Sequence, residues 1–345
     1  MTVSDFLVSM HLRPTLSDVA RISGVSIATA SRALSNPDLV AKDTRQSVRD
    51  AAESCGYTIN LVARSLRMQR TNTILVLVPC IDNLFYPAIV SGAEEYAHDH
   101  GFSIILGFTA KTSESRRAYS DLLSNGRVDG VVILDGGTDT TRLTGPRPGV
   151  PAVQVLEPVH AAPVATVRVD DRHIAELAVR HLAGLGHRRI AHIAGDPQSV
   201  SAKLRREGYA AALAVLGLPI NESLVRPGHY QREAGATAMA SLLDQTDPPT
   251  AVFCANDASA CGAMQVCRER TLRIPQDISI IGVDGTEDGE FHAPPLTTIR
   301  LPRRDIGMQA MAKLIGLIHG QPGIPAETVL PVELVIRATT AVPRA

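Results

Sequence analysis

Cysteine is scarce in this chain: among its 345 residues only Cys55, Cys80, Cys254, Cys261 and Cys267 carry a thiol. The number is odd and no two stand as C-x-x-C, which argues against a disulfide framework or a zinc site and for reduced, mostly buried thiols. The 11 histidines are scattered. His98 and His100 flank Asp99 at a spacing that points them apart on a helix, so no metal site is expected. Long hydrophobic runs are missing as well. No stretch reaches the ~18 apolar residues a membrane-spanning helix needs, and the N-terminal arm has no basic segment ahead of an apolar one. No membrane association is expected, and the expected location is cytoplasmic. Nor does one sign of charge dominate: the net charge is −1, so the whole chain carries no polyelectrolyte signature. Finally, there is no P-loop, G-x-S-x-G or H-E-x-x-H motif. The expectation is a protein that is not an enzyme and needs no cofactor.

What is present is unevenly distributed. The length allows two or three domains and a large core. Residues 13–70 hold nine Lys/Arg against five Asp/Glu, a modest basic excess that suits a phosphate-contacting face. The same region contains TLSDVARISGVSIATASRAL (15–34). Thr15 can cap a helix starting at Leu16, with Asp18 favouring its positive end. Val19, Ala20 and Ile22 give that helix an inner face. Gly24 frees the backbone for a turn, and Ser26 caps a second helix that runs to about Leu34 before Asn36-Pro37. A third helix spans about Lys42 to Cys55, with Val48, Ala51 and Ala52 at helical spacing and Gly56 at its end. Small and apolar residues inside, hydroxyls and Arg outside, describe a helix-turn-helix that lays its second helix in the major groove of DNA. Residues 60–67 (NLVARSLR) make an amphipathic piece too short to be stable alone.

From Thr73 the pattern changes to strand-helix alternation. TILVLVP (73–79) is a continuous apolar run typical of a buried parallel strand. A helix at 87–100, strands at 102–108 and 128–134 and a helix near 114–125 complete one series. A second series is expected to open with the strand 167–169 and to continue through strands at 189–194, 251–254 and 278–283, with helices between them. Alternation of this kind gives parallel sheets with right-handed crossovers. Two series imply two doubly wound parallel-sheet subdomains with a cleft between them, and ligands bind such sheets at the carboxyl ends of strands. That places candidate residues near Asn83–Tyr86, Glu157, Ser199–Arg205, Asn256-Asp257 and Asp284. The domains read as an arm (1–12), a helix-turn-helix headpiece (13–58), a hinge helix and linker (59–70) and a core (71–345). Within the core, an N-subdomain covers about 72–166 and 299–328, and a C-subdomain about 167–298 and 329–341.

Nine segments in order carry a resemblance that covers about residues 13–340: LSDVARISGVSIATASRAL, LVAKDTRQSV, GYTINLVARSL, RVDGVVI, LGHRRIAHIAG, LRREGYAAAL, PTAVFCANDASACGAM, RIPQDISIIGVDGTED and PPLTTIRLP. On these the chain resembles the LacI family of transcriptional regulators. The resemblance implies a helix-turn-helix headpiece joined to a periplasmic-binding-protein-like α/β core. It also implies a homodimer on a palindromic double-stranded DNA operator and control by a small-molecule effector, a sugar or a nucleoside. By resemblance Ile27, Ala28 and Arg32 are base-reading. Arg32 can donate two hydrogen bonds to one guanine, whereas Ile27 and Ala28 offer only apolar contact, for instance to a thymine methyl. Thr15, Leu16, Ser26, Thr29, Ser31 and Tyr57 match DNA-contacting positions that fix register, and Asn60 matches a backbone contact at the hinge. Leu66 matches a leucine that wedges into the central base step, with the small Ala63 allowing close approach. A deformable pyrimidine–purine step, CG, is expected there.

The same resemblance assigns the cleft. Arg205, Asn256 and Asp284 match effector-contacting positions; an arginine, an amide and a carboxylate together satisfy sugar hydroxyls, which both donate and accept. Glu157, Ser199 and Ser201 join them, with helix capping or a solvated edge as the competing reading. Tyr230 and Phe85 or Tyr86 can stack on a ring face. SVSA (199–202) and the TED turn (286–288) are similar to sugar-responsive members, whereas TILVLVPCIDNLFYP is similar to nucleoside-responsive ones. Sugar is favoured because the first two segments lie in the pocket region. Departures from the family pattern are Ser23 and Ala30, which thin the headpiece core, and Ala41, which replaces a capping Ser; Asp43 or Thr44 is expected to shift that helix start. Helix 87–100 and part of helix 258–270 are expected at a dimer interface, and the C-terminus has no leucine heptad. The rival to a regulator is a solute receptor that binds no DNA, and residues 1–70 argue against it.

Overall fold

The computed structural model describes residues 14–35, 37–58, 70–80, 83–109, 113–134, 150–157 and 164–344. The chain divides into two compact units, Met1–Thr71 and Asn72–Ala345.

In the first unit, α1 (Leu16–Ser23), α2 (Ile27–Ser35) and α3 (Lys42–Cys55) enclose Val19, Ala20, Ala30, Ala33, Val48, Ala51 and Ala52. The Thr15 backbone N–H and hydroxyl both donate to the Asp18 carboxylate, at 3.0 and 2.8 Å. These bonds, helped by Arg21, hold Asp18 down at about 2. Gly24 ends α1 at φ 68, a left-handed conformation that costs a residue with a Cβ. Ser26 accepts from the Thr29 N–H at 3.1 Å and so caps α2. Ile22, expected on the inner face, is instead 47% exposed. Val19 and Ala20 already fill the contact with α3, and Ile22 is left at its rim beside Asp43, Gln46 and Asp50.

The start of α3 also differs from expectation. Neither Asp43 nor Thr44 moves it: the helix begins at Lys42, and Ala41 stands at the N-cap with φ −52 and ψ 142 and no side-chain hydrogen bond. An orphan N–H there lacks the oxygen that a serine supplies. Ala41→Ser is therefore expected to stabilise the headpiece by about 1 kcal/mol. Amide exchange across α3 in the intact chain should slow by roughly fivefold, and unchanged exchange would disprove the capping account.

The second unit holds two six-stranded sheets. The first is built from β1 (Thr73–Val78), β2 (Ser103–Phe108), β3 (Gly130–Ile133), β4 (Ala152–Val155), β5 (Ala165–Val169) and β11 (Glu327–Leu330), in the order β11-β5-β4-β3-β1-β2. The second contains β6 (Ile190–Ala194), β7 (Val225–Pro227), β8 (Ala251–Cys254), β9 (Ser279–Asp284), β10 (Thr297–Arg300) and β12 (Glu333–Val335), in the order β12-β10-β9-β8-β6-β7. Strand pairs are parallel except β10–β12. Near-continuous burial in β1, β3, β8 and β9 follows from helices on both faces.

The strand around 167–169 does not open the second series. As β5 it pairs with β4 and β11 and belongs to the first sheet. The helix after it, α6 (Asp171–Gly184), packs on strands of the second sheet, so one strand-helix unit is shared between halves. The chain crosses there, again between β10 and the long helix at Arg303–Ile318, and finally between β11 and β12.

Each half is closed by helix pairs that touch backbone to backbone. Helix α4 (Phe85–Asp99) lies on α11 (Arg303–Ile318), α6 on α7 (Val200–Val215), and α8 (Arg232–Leu243) on α9 (Asp257–Glu269), with α5 (Ser113–Ser124) and the short α10 (Glu287–Glu290) outside these pairs. A Cβ on Gly307 would sit 1.9 Å from the Ile89 carbonyl oxygen, and one on Gly262 1.9 Å from that of Arg232. Only glycine permits that approach. Helix α9, expected at a subunit interface, is mostly enclosed by this packing and exposes Gln265, Arg268 and Glu269.

Candidate functional site

All nine core residues singled out from the sequence line one cavity of about 370 Å³. Its walls are the carboxyl ends of strands from both sheets. Phe85 and Tyr86 follow β1, Glu157 follows β4, Ser199, Ser201 and Arg205 follow β6, Tyr230 follows β7, Asn256 follows β8, and Asp284 ends β9. Parallel sheets present loops and helix N-termini at these ends.

Arg205 stands on the second turn of α7 and is 5% exposed. Its Nε donates to Asp171 Oδ1 at 2.8 Å and its Nη1 to the Ala255 carbonyl. Burial works against the guanidinium charge. Asp171, Tyr230 and Asp284 together outweigh that cost and hold the arginine above its usual range. The Tyr230 ring centroid is 5.9 Å from the guanidinium carbon, within cation–π reach. Behind Arg205, the His192 ring stacks between Tyr209 and Phe253. Complete burial drives it down to about 4, so it is neutral.

Tyr230 is fixed from three sides. His229 and Tyr230 have φ 49 and φ 59, two consecutive left-handed residues that cost free energy without glycine. Asn256 Nδ2 donates to the Tyr230 carbonyl at 3.1 Å. The ring covers Gly195, where a Cβ would lie 2.2 Å from Cζ. Asn256 also caps α9, accepting from the Ser259 N–H at 3.0 Å and the Ser259 hydroxyl at 2.7 Å. Little of its amide is left over for anything else in the cavity.

The capping reading of Ser199 and Glu157 is also visible. Ser199 accepts from the Ala202 N–H at 3.1 Å and donates to Glu157. Glu157 reaches from the first half to the N-terminus of α7 and accepts from the Val200 and Ser201 amides at 3.2 and 3.4 Å. Asp284 has φ 117 and is 4% exposed, and Gly285 follows it. Burial, with the negative charge of Asp257 nearby, pushes its carboxyl well above the normal range. Asp257 accepts from the Thr286 N–H and from the Thr286 and Thr298 hydroxyls, at 2.7, 3.0 and 2.7 Å. Burial outweighs these bonds and raises Asp257 to about 6. Arg303, at the second crossing, donates to the Leu84 carbonyl at 2.9 Å and the Gly285 carbonyl at 3.0 Å, one from each half.

Sequence reasoning missed Asp171, the partner of Arg205, and Asp196, which follows β6 and lines the cavity. Both stand just beyond strand ends, the place searched. Asp171 was hidden because its strand was assigned to the wrong sheet. Phe85 is largely part of the core beneath the cavity, with its ring edge-on to Tyr86 at 5.3 Å.

In the first unit, Ile27 (53% exposed), Ala28 and Arg32 stand out on α2. Thr15 and Ser26 are exposed, Thr29 and Ser31 half-buried, and Leu16 and Tyr57 pack against the small core. Asn60, Ala63, Leu66 and the hinge helix lie outside the described residues. Among the described residues no group of His, Cys, Asp and Glu is placed to hold a metal ion, and no helix is long and apolar enough to cross a membrane.

Residues 15–60 match the family model described as bacterial regulatory proteins, lacI family, and residues 179–340 match the periplasmic binding protein-like domain. The chain is 36% identical over 327 residues to the HTH-type transcriptional repressor CytR of Escherichia coli (strain K12), covering 94% of this chain and 96% of that one. Among solved structures, the Lac repressor dimer bound to operator and the anti-inducer ONPF superimposes with a TM-score of 0.85 at 32% identity, covering 95% of this chain and 99% of that one. The complex of transcriptional regulator CelR with cellobiose gives a TM-score of 0.74 at 30% identity, over 95% of this chain and 100% of that one.

Proposed function

Because the chain belongs to the LacI family of bacterial regulatory proteins, we propose that it grips a palindromic operator as a homodimer and changes that grip when a small sugar-like effector enters the core cavity. It is a DNA-binding transcriptional regulator of the repressor type, and the family is not one of enzymes. The observation that carries the proposal is the convergence of nine residues, from six places in the sequence, on one cavity between two sheets.

In this reading α2 enters the major groove. Arg32 reads a guanine, Ile27 and Ala28 make apolar contacts, Thr15, Ser26, Thr29, Ser31 and Tyr57 set register on the phosphates, and Leu16 lies at the DNA-facing start of α1. Asn60, Ala63 and Leu66 act at the minor groove of a central CG step. Effector in the cavity alters the angle between the two halves of each core. In a dimer that change moves the two hinge segments, and coupling exists because effector and operator favour different states. A monosaccharide or small glycoside fits the mixture of arginine, hydroxyl and carboxylate groups.

The test is footprinting of the DNA upstream of the protein's own gene, followed by binding to the protected palindrome. Arg32→Ala should cost about 1–3 kcal/mol and relax preference at one base pair in each half-site. Leu66→Ala should weaken operator binding much more than nonspecific binding. A monomeric protein with no preference among random oligonucleotides would overturn the reading. Addition of sugars and nucleosides to the operator complex then separates the two effector classes.

A further inference from the structure

The charges around the cavity are lopsided. Among the described residues that line it Arg205 is the one cation, whereas Glu157, Asp196 and Asp284 are acids. Arg205 is already matched by Asp171, a buried carboxylate 2.8 Å from its Nε, and its Nη1 is engaged by the Ala255 carbonyl. Arg303, the next guanidinium, spends its nitrogens on the Leu84 and Gly285 carbonyls. Asp196 accepts from the Gln198 N–H at 2.8 Å.

One place in the cavity wall where an anion is ordinarily welcome is the N-terminus of α7, a 16-residue helix. It is occupied by the chain itself. Both Glu157 oxygens lie on it, accepting from the Val200 and Ser201 amides and from the Ser199 hydroxyl. Glu157 comes from the other half, so its carboxylate also ties the two walls together.

We propose that Glu157 is a built-in anion that fills the α7 N-terminus, so that the cavity accepts an uncharged or protonated-amine polyol and refuses phosphate and carboxylate ligands. This rests on reading the cavity as the effector site. A phosphate ester carries nearly two negative charges near neutral pH. It would have to displace Glu157 and then lie among the displaced carboxylate and Asp196. A hydroxyl or an ammonium instead donates to the carboxylate lone pairs that the amides leave free. The bridge between the walls then survives binding.

The test uses the full-length protein and two probes. The first is sulfate at a few millimolar and matched ionic strength, low enough that general exclusion effects on stability are small. Glu157→Ala should bind sulfate about tenfold more tightly than the unaltered protein, seen as a sulfate-dependent rise in thermal midpoint. Glu157→Gln, which keeps the side-chain shape, should show the same direction and guards against a folding defect in the alanine variant. Equal response of all three proteins to sulfate, or none in either variant, would overturn the proposal. The second probe is a matched set: glucose, cytidine, the phosphate monoester of each, and glucosamine. Tighter binding of a phosphate ester than of its parent to the unaltered protein would also overturn it. If operator binding ignores the whole set while sulfate still separates the variants from the parent, the effector reading of the cavity fails and the charge assignment of Glu157 stands.

Discussion

Arg205→Ala is expected to cost the core about 3–5 kcal/mol and to remove its response to any cavity ligand. The size follows from Asp171. Both side chains are almost fully enclosed, and removing the arginine strands a carboxylate away from water with its main partner gone. Urea unfolding of the intact chain, followed through a core signal, measures the loss. A second substitution separates stability from binding. With Asp171→Leu added to Arg205→Met, the pair becomes apolar and most of the stability returns, while ligand binding stays absent. A double variant as unstable as the single one would mean that the ion pair is not the source of the loss. Retained ligand affinity in Arg205→Ala would remove this residue from the site.

Gly262→Ala carries the second large effect. Alanine is the better helix former by about 1 kcal/mol, so propensity alone predicts stabilisation. Packing predicts the opposite. The added methyl would lie 1.9 Å from the Arg232 carbonyl oxygen and 3.0 Å from the Ala236 nitrogen, both backbone atoms that cannot rotate aside. The α8–α9 pair must separate, which costs about 1–3 kcal/mol as overpacking and more if neighbouring side chains also lose contact. A fall of several degrees in the thermal midpoint of the core is expected. Gly184→Ala supplies the control, because no atom lies within 4 Å of its would-be Cβ; there propensity should win and the midpoint should hold or rise. Equal shifts at both positions would show that packing does not decide the sign.

Much of this molecule is legible in its residues, and the failures share a cause. Gly24, Ser26 and Gly56 mark helix limits because a left-handed turn or a capping hydroxyl is a local requirement that one residue type meets. The cavity residues were found because parallel sheets offer ligands one end only, so position after a strand is enough. Ile22 went wrong because its helix has an apolar face wider than α3 covers. The strand at β5 went wrong because a short buried run does not say which sheet it joins. Asp171 was missed because its partner is 34 residues away in sequence, across a crossing the strand error concealed. Glu157 lines the cavity, and its grip on α7 depends on where two halves meet, which no spacing encodes.

The glycine contacts have a mechanical corollary. Helices seated carbonyl against Cα have no side-chain cushion between them, and so cannot slide over one another by small rotamer changes. Each half is then a stiff block, and torque from an occupied cavity has nowhere to dissipate inside it. It is delivered instead to the three short connectors, where Asp171 and Arg303 stand at the first two, and any relative rotation is set by how far those few backbone torsions will yield.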